Sequence, residues 1–272
     1  MQKLKPTNNP FSTKVAFSLV FASLFSAFFA GALVLGIGLN SSTSSQKFYT
    51  FLSFIIGQGF MLLPLIWYLI TKKRSLLATL RLNLVSTDIL KSTILLSLGI
   101  IILSDELDRI IQIIVPAPDY ILDLNELLQP DSFLGFVLLF IAVAIIAPLG
   151  EELLFRGFLQ KILEKQWKDV TRAILITALI FAVIHMNPYW FAQIYILGII
   201  LGFLSWKTNS VIPPLILHGM NNTTALLFAI FNIQDNNIYL WNNHVSPIFI
   251  IIAILLLGIG FIGINKMGNK SL

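Results

Sequence analysis

Eight apolar runs, near residues 15–39, 48–70, 87–104, 133–150, 171–186, 188–206, 211–231 and 246–265, decide what this chain can become. A helix of about 20 apolar residues crosses a hydrocarbon core, because it satisfies its own backbone N–H and C=O groups where no water can. The chain is 57% hydrophobic and 11% charged, with a mean hydropathy of +0.86. Soluble domains carry about 25% charged residues, so this much apolar surface calls for lipid. The runs predict an all-α fold, a polytopic transmembrane helical bundle of about eight spans, in a single integral membrane domain over residues 1–272. The first run follows Lys3, Lys5 and Lys14. It exceeds the roughly 7–15 apolar residues of a cleaved signal peptide and reads as a retained span. The fourth run is expected to continue as one long helix to about Glu164, kinked at Pro148.

The charges between the runs alternate in kind. Lys72, Lys73, Arg74 and Arg81 follow the second run, and Arg156, Lys161, Lys165, Lys168 and Arg172 separate the fourth from the fifth. Lys207 follows the sixth, and Lys266 and Lys270 follow the eighth. The connection 105–132 is acidic instead, with Glu106, Asp108, Asp119, Asp123 and Glu126. Under the positive-inside rule this pattern puts both termini in the cytoplasm. It makes 105–132 the longest external connection, with Ile110 to Ile114 along the outer interface, and 232–245 an external, structural loop. The net charge of +5 does not point to nucleic acid, since the basic residues cluster at the ends of apolar segments. The chain has no cysteine, which excludes disulfides and thiolate chemistry.

Ionisable side chains within apolar runs need a partner or a purpose. Glu152 and Arg156 stand four residues apart, acid first, the favourable order for a helical pair. Glu151 is turned about 100° away around the helix, so Arg156 can neutralise Glu152 and leave Glu151 free to face something else. Two further polar positions fall in later runs: Phe181 with His185, and His218 with Asn222, each pair sharing a helix face at a spacing of four. Taken singly, each has an ordinary explanation. A membrane His or Asn often serves as a hydrogen bond between helices, Phe181 as packing, and Gly198 with Gly202 as a small-residue contact. His244, Glu164 and Asp169 read as solvated. Taken together, a carboxylate, two imidazoles and an amide on three separate spans can hold and activate water, as base, hydrogen-bond partners and oxyanion donor. Imidazole and carboxylate are also ligands that zinc accepts.

The order Glu-Glu-x-x-x-Arg at Glu151, Glu152 and Arg156, then Phe-x-x-x-His at Phe181 and His185, then His-x-x-x-Asn at His218 and Asn222 resembles the CPBP family of intramembrane proteases. That family includes CAAX prenyl endopeptidases of the Rce1 type, the Abi proteins, and bacteriocin-processing and immunity proteins. The motifs span 151–222, the core of the expected domain. The resemblance implies an endopeptidase acting inside the bilayer on a membrane-embedded or lipidated protein or peptide. It implies Glu151 and His185 as the groups that activate water, and His218 and Asn222 as those that position it and stabilise the oxyanion. Glu152, Arg156 and Phe181 become supporting residues. The expected cofactor is Zn²⁺, with Glu151, His185 and His218 as its ligands, and in a bacterium the membrane is the plasma membrane. A rival reading from the same residues is a non-catalytic immunity or scaffold protein, or a small transporter, whose buried polar cluster binds a ligand or relays protons.

Overall fold

The computed structural model describes residues 11–40, 43–121, 128–231 and 238–268. Lys3, Lys5, Asp123, Glu126 and Lys270, all used above for orientation, lie outside the described residues, as does the first part of the 232–245 loop.

Among the described residues, seven helices are long and apolar enough to cross a membrane. They are α1 (Thr13–Leu39), α2 (Gln46–Thr71), α3 (Thr87–Ile114), α4 (Phe133–Trp167), α6 (Phe191–Thr208), α7 (Ile212–Phe231) and α8 (Pro247–Gly268). The fifth apolar run is α5 (Val170–Ile184), of 15 residues. At 1.5 Å per residue it is about 22 Å long, short of a hydrocarbon core of about 30 Å. The protein is therefore an all-α, multi-pass integral membrane protein whose fifth helix is shorter than a full span.

Local chemistry sets the ends. Ser12, Ser86 and Ser132 cap α1, α3 and α4, each Oγ accepting a backbone N–H three residues on, and Asp169 caps α5 in the same way. α2 bends at Leu62, because Pro64 in the next turn has no N–H to give. α3 corrects the sequence reading: the helix runs on through the acidic residues to Ile114, so only 115–132 connects it to α4. Pairs at a spacing of four support this extension, Arg109 with Asp105 at 3.1 Å and Gln112 with Asp108 at 2.6 Å.

α4 lies at the centre. Its turn Leu153–Gln160 is buried on every side, as expected of a helix enclosed by others rather than facing lipid. Leu154, Phe155, Phe158 and Leu159 join Leu65, Leu69 and Ala16 in the largest core cluster. Gly157 admits the 76–83 segment: a Cβ there would sit 2.6 Å from the Leu80 carbonyl oxygen. That segment brings in Arg81, which is 4% exposed and pairs with Glu164. Gln160 also donates to Glu164, at 2.8 Å. Glu164 is therefore a half-buried partner of Arg81 and not the solvated acid its position suggested. On the opposite side of the fold, β1 (Leu240–Trp241) and β2 (His244–Val245) form a short antiparallel hairpin. Asn242 and Asn243 take the positive φ its turn requires. His244 Nδ1 lies 2.8 Å from Glu106 Oε1, and Val245 N donates to the other oxygen at 2.7 Å. His244 thus ties the hairpin to the end of α3, where the sequence suggested only solvent.

Candidate active site

α4 is not a uniform α-helix. Two π-helical stretches, Ile141–Ile146 and Leu153–Gln160, flank an α-helical turn, Ala147–Glu152, that carries Pro148 and both glutamates. The proline explains one of the wide turns. In the π register the N–H of Ala147 bonds to Ala142 O, so Val143 O loses its α-helical donor. Its π-helical donor would be residue 148, which is proline and has no N–H. The orphaned carbonyl is taken by α7: Asn222 Nδ2 donates to Val143 O at 3.0 Å. A buried carbonyl must find some partner, and here the partner is a motif residue.

The second contact between α4 and α7 is four residues earlier on α7. His218 Nδ1 lies 2.9 Å from Glu152 Oε1, and the same oxygen accepts Arg156 Nη1 at 3.0 Å. Glu152 and Arg156 are both completely buried, and His218 is 3% exposed. Arg156 Nη2 donates to Gly198 O on α6 at 3.2 Å, and one helical turn on Gln160 Nε2 donates to Gly202 O at 2.9 Å. Gly202 leaves room for this contact, since a Cβ there would lie 2.9 Å from Gln160 Oε1, while Gly198 packs α6 against α5, where a Cβ would lie 3.1 Å from that of Ala178. The Arg156 guanidinium also stacks 4.2 Å from the centre of the Phe181 ring, a favourable arrangement for a desolvated cation.

Phe181 links the two imidazoles. Its ring meets those of His185 at 4.7 Å and His218 at 5.8 Å, both edge-on. His185 closes the C-terminal end of α5, exposed, with Nδ1 2.6 Å from Phe181 O. A carbonyl can only accept, so Nδ1 of His185 carries the hydrogen; the carboxylate of Glu152 assigns Nδ1–H to His218 in the same way. In the neutral form each ring therefore presents a lone pair at Nε2.

Glu151 faces that side. It is 8% exposed, its Oε2 stands 3.8 Å from His218 Nε2, and its Oε1 lies 3.5 Å from Gln58 Nε2 on α2. Arg156 donates to Glu152, leaving Glu151 without a cation in hydrogen-bond contact among the described residues. The structure thus groups Glu151, Glu152, Arg156, Phe181 and His218, hangs His185 on the same aromatic ring, and sets Asn222 against the wide turn of α4. Gln58 and the Val143 carbonyl are not legible in the sequence beyond a lone polar residue in one apolar run and a proline in another.

Two neutral imidazole Nε2 atoms and a carboxylate are the donor types zinc uses, and an Nδ1–H bond to a carbonyl or carboxylate is what orients an imidazole that binds metal through Nε2. Among the described residues, however, no group of three or more His, Cys, Asp or Glu side chains is placed to hold a metal ion. The geometry does not gather Glu151, His185 and His218 into one ligand set.

Comparison with known proteins adds an independent line. Residues 133–224 match the family model described as type II CAAX prenyl endopeptidase Rce1-like. The UPF0177 protein YbdI of Lactococcus lactis is 31% identical over 119 residues, 43% of this chain and 63% of that protein. An uncharacterized 24.3 kDa protein of Escherichia coli is 28% identical over 110 residues, 39% of this chain and 51% of that protein. The chain thus spans between half and two thirds of the length of these relatives. No solved structure matches. From Phe133 at the start of α4 to Thr224 on α7, through all three motifs, the chain is similar to the Rce1-like CAAX prenyl endopeptidases.

Proposed function

We propose that this protein is an intramembrane endopeptidase that hydrolyses a peptide bond in a membrane-associated or lipidated protein. The observation that carries the reading is the separation of two adjacent carboxylates into different tasks. Glu152 is neutralised by Arg156 and spends its oxygen on orienting His218. Glu151, one residue away, keeps an oxygen 3.8 Å from the lone-pair nitrogen of His218. A water molecule beside them is within reach of both acceptors.

In this reading Glu151 takes a proton from the water as its oxygen attacks the scissile carbonyl carbon. The water's other hydrogen is accepted at an imidazole Nε2, that of His218 or, from the end of α5, that of His185. The proton held by Glu151 passes to the leaving nitrogen as the C–N bond breaks. Asn222 uses one amide hydrogen on Val143 O, so its second hydrogen is available to the oxyanion.

The test is cleavage of farnesylated and membrane-tethered peptides by purified protein in liposomes, wild type beside Glu151→Gln. Loss of a general base lowers the rate by about 10²–10⁴-fold. Cleavage at the wild-type rate by a folded Glu151→Gln protein overturns Glu151 as the base, whereas a folded wild type that cleaves none of the peptides favours a binding or scaffold role. Metal analysis of the same sample tests the zinc expectation: stoichiometric zinc that disappears in His218→Ala supports it.

A further inference from the structure

α2 lies outside the region that carries the three motifs, yet it delivers a polar side chain to the site. Gln58 occupies an apolar stretch between Ile55 and Leu62, four residues before the bend at Leu62. A polar amide in that setting requires a partner. Its Nε2 has one, Glu151 Oε1 at 3.5 Å; its Oε1 is buried with no hydrogen bond. The orientation of the amide follows from the partner, since a carboxylate can only accept from N–H and would repel the amide oxygen. Gly150 of α4 faces this stretch of α2: a Cβ there would lie 2.6 Å from Met61 Cε and 3.6 Å from the backbone oxygen of Gln58.

Glu151 is consequently held between two helices. Gln58 of α2 reaches one oxygen and His218 of α7 faces the other, with Arg156 and Glu152 directed elsewhere on α4. We propose that Gln58 is a positioning residue for Glu151, fixing the carboxylate by one oxygen so that the other is aimed at the water and His218. The inference rests on the hydrolase reading above. A neutral amide suits the task, because it orients the carboxylate without neutralising it as an arginine would. The 3.5 Å separation is at the long end for such a bond.

The test uses the full chain in liposomes with two variants, Gln58→Met, which keeps the bulk, and the shorter Gln58→Asn, and two readouts. In cleavage, Gln58→Met lowers kcat about 10-fold, the scale of one hydrogen bond to a charged group, with KM within about twofold and thermal midpoint near wild type. Gln58→Asn, which keeps a donor on a shorter stem, recovers part of the loss. In a Glu151→Asp background, where the carboxylate has already withdrawn, Gln58→Met costs no further activity; a merely structural role gives additive losses instead. The second readout needs no activity: carbodiimide labelling of Glu151, followed by mass spectrometry, runs severalfold faster in Gln58→Met because an oxygen has lost its donor. Unchanged labelling with unchanged kcat overturns the role of Gln58 while leaving the hydrolase intact. Altered labelling in a folded wild type that cleaves none of the peptides keeps the contact and removes the hydrolase reading.

Discussion

Glu152 Oε1 accepts from both Arg156 and His218, at 3.0 and 2.9 Å, so one fully buried oxygen joins a cation on α4 to an imidazole on α7. An arrangement of this kind adds little net stability when intact, because the attraction is offset by desolvation of both charges. It is costly when broken from one side.

Glu152→Ala leaves Arg156 buried without its carboxylate. We expect a loss of about 3–5 kcal/mol, read as a lower midpoint of thermal unfolding in detergent. Replacing both residues with apolar side chains should recover much of that loss. A single variant that unfolds like wild type would show the pair to be energetically silent.

The Asn222 contact has its own signature, because the proline creates the need for it. Asn222→Leu strands the Val143 carbonyl and costs about 1–3 kcal/mol. Adding Pro148→Ala returns a backbone N–H at position 148, a donor for that carbonyl in the π register. The double variant should therefore be more stable than Asn222→Leu alone, and calorimetry on the four proteins of the cycle decides it.

Gly157→Ala places a methyl group 2.6 Å from the Leu80 carbonyl oxygen, a backbone atom that cannot swing aside. The 76–83 segment must lift, taking Arg81 away from Glu164 and Val211 N away from Arg81 O, now 3.0 Å. Overpacking of this sort costs about 1–3 kcal/mol. The specific expectation is faster proteolysis between Arg74 and Leu82 than in wild type.

Tyr239 supplies a pH dependence at the hairpin. Burial first, and then the charge of Asp105 and its 2.9 Å hydrogen bond, raise the Tyr239 phenol well above its ordinary value. A group raised on folding contributes stability that is fully present below its unfolded value, near 10, and is lost as pH rises through the folded one. The stability gap between wild type and Tyr239→Phe should thus be constant at neutral pH and close above about pH 10. A gap that widens in that range contradicts the assignment.

Much of this was legible before any coordinates. Apolar length alone located the spans, since few alternatives exist for such runs in lipid, and the spacing of four revealed the Glu152–Arg156 pair. The misses have physical causes. Asp105 to Ile114 looked like a loop because charge interrupts an apolar run, yet pairs at a spacing of four keep it helical. Glu164 continues the row Glu152, Arg156, Gln160 along one face of α4, a visible hint of burial, but its partner Arg81 is 83 residues away and no local rule points to it. His244 and Glu106 meet only through the tertiary fold. The approach of Gln58 to Glu151 was hidden for the same reason.

The proline in α4 has a consequence for how the two halves of the site stay in step. Because residue 148 cannot close its own turn, the helix completes itself with a side chain from α7, and the bend in one helix becomes the depth gauge of the other. Sliding α7 by one turn, about 5.4 Å, would strand Val143 O and part Glu152 from His218 in a single movement. The two contacts thus set a single register between α4 and α7.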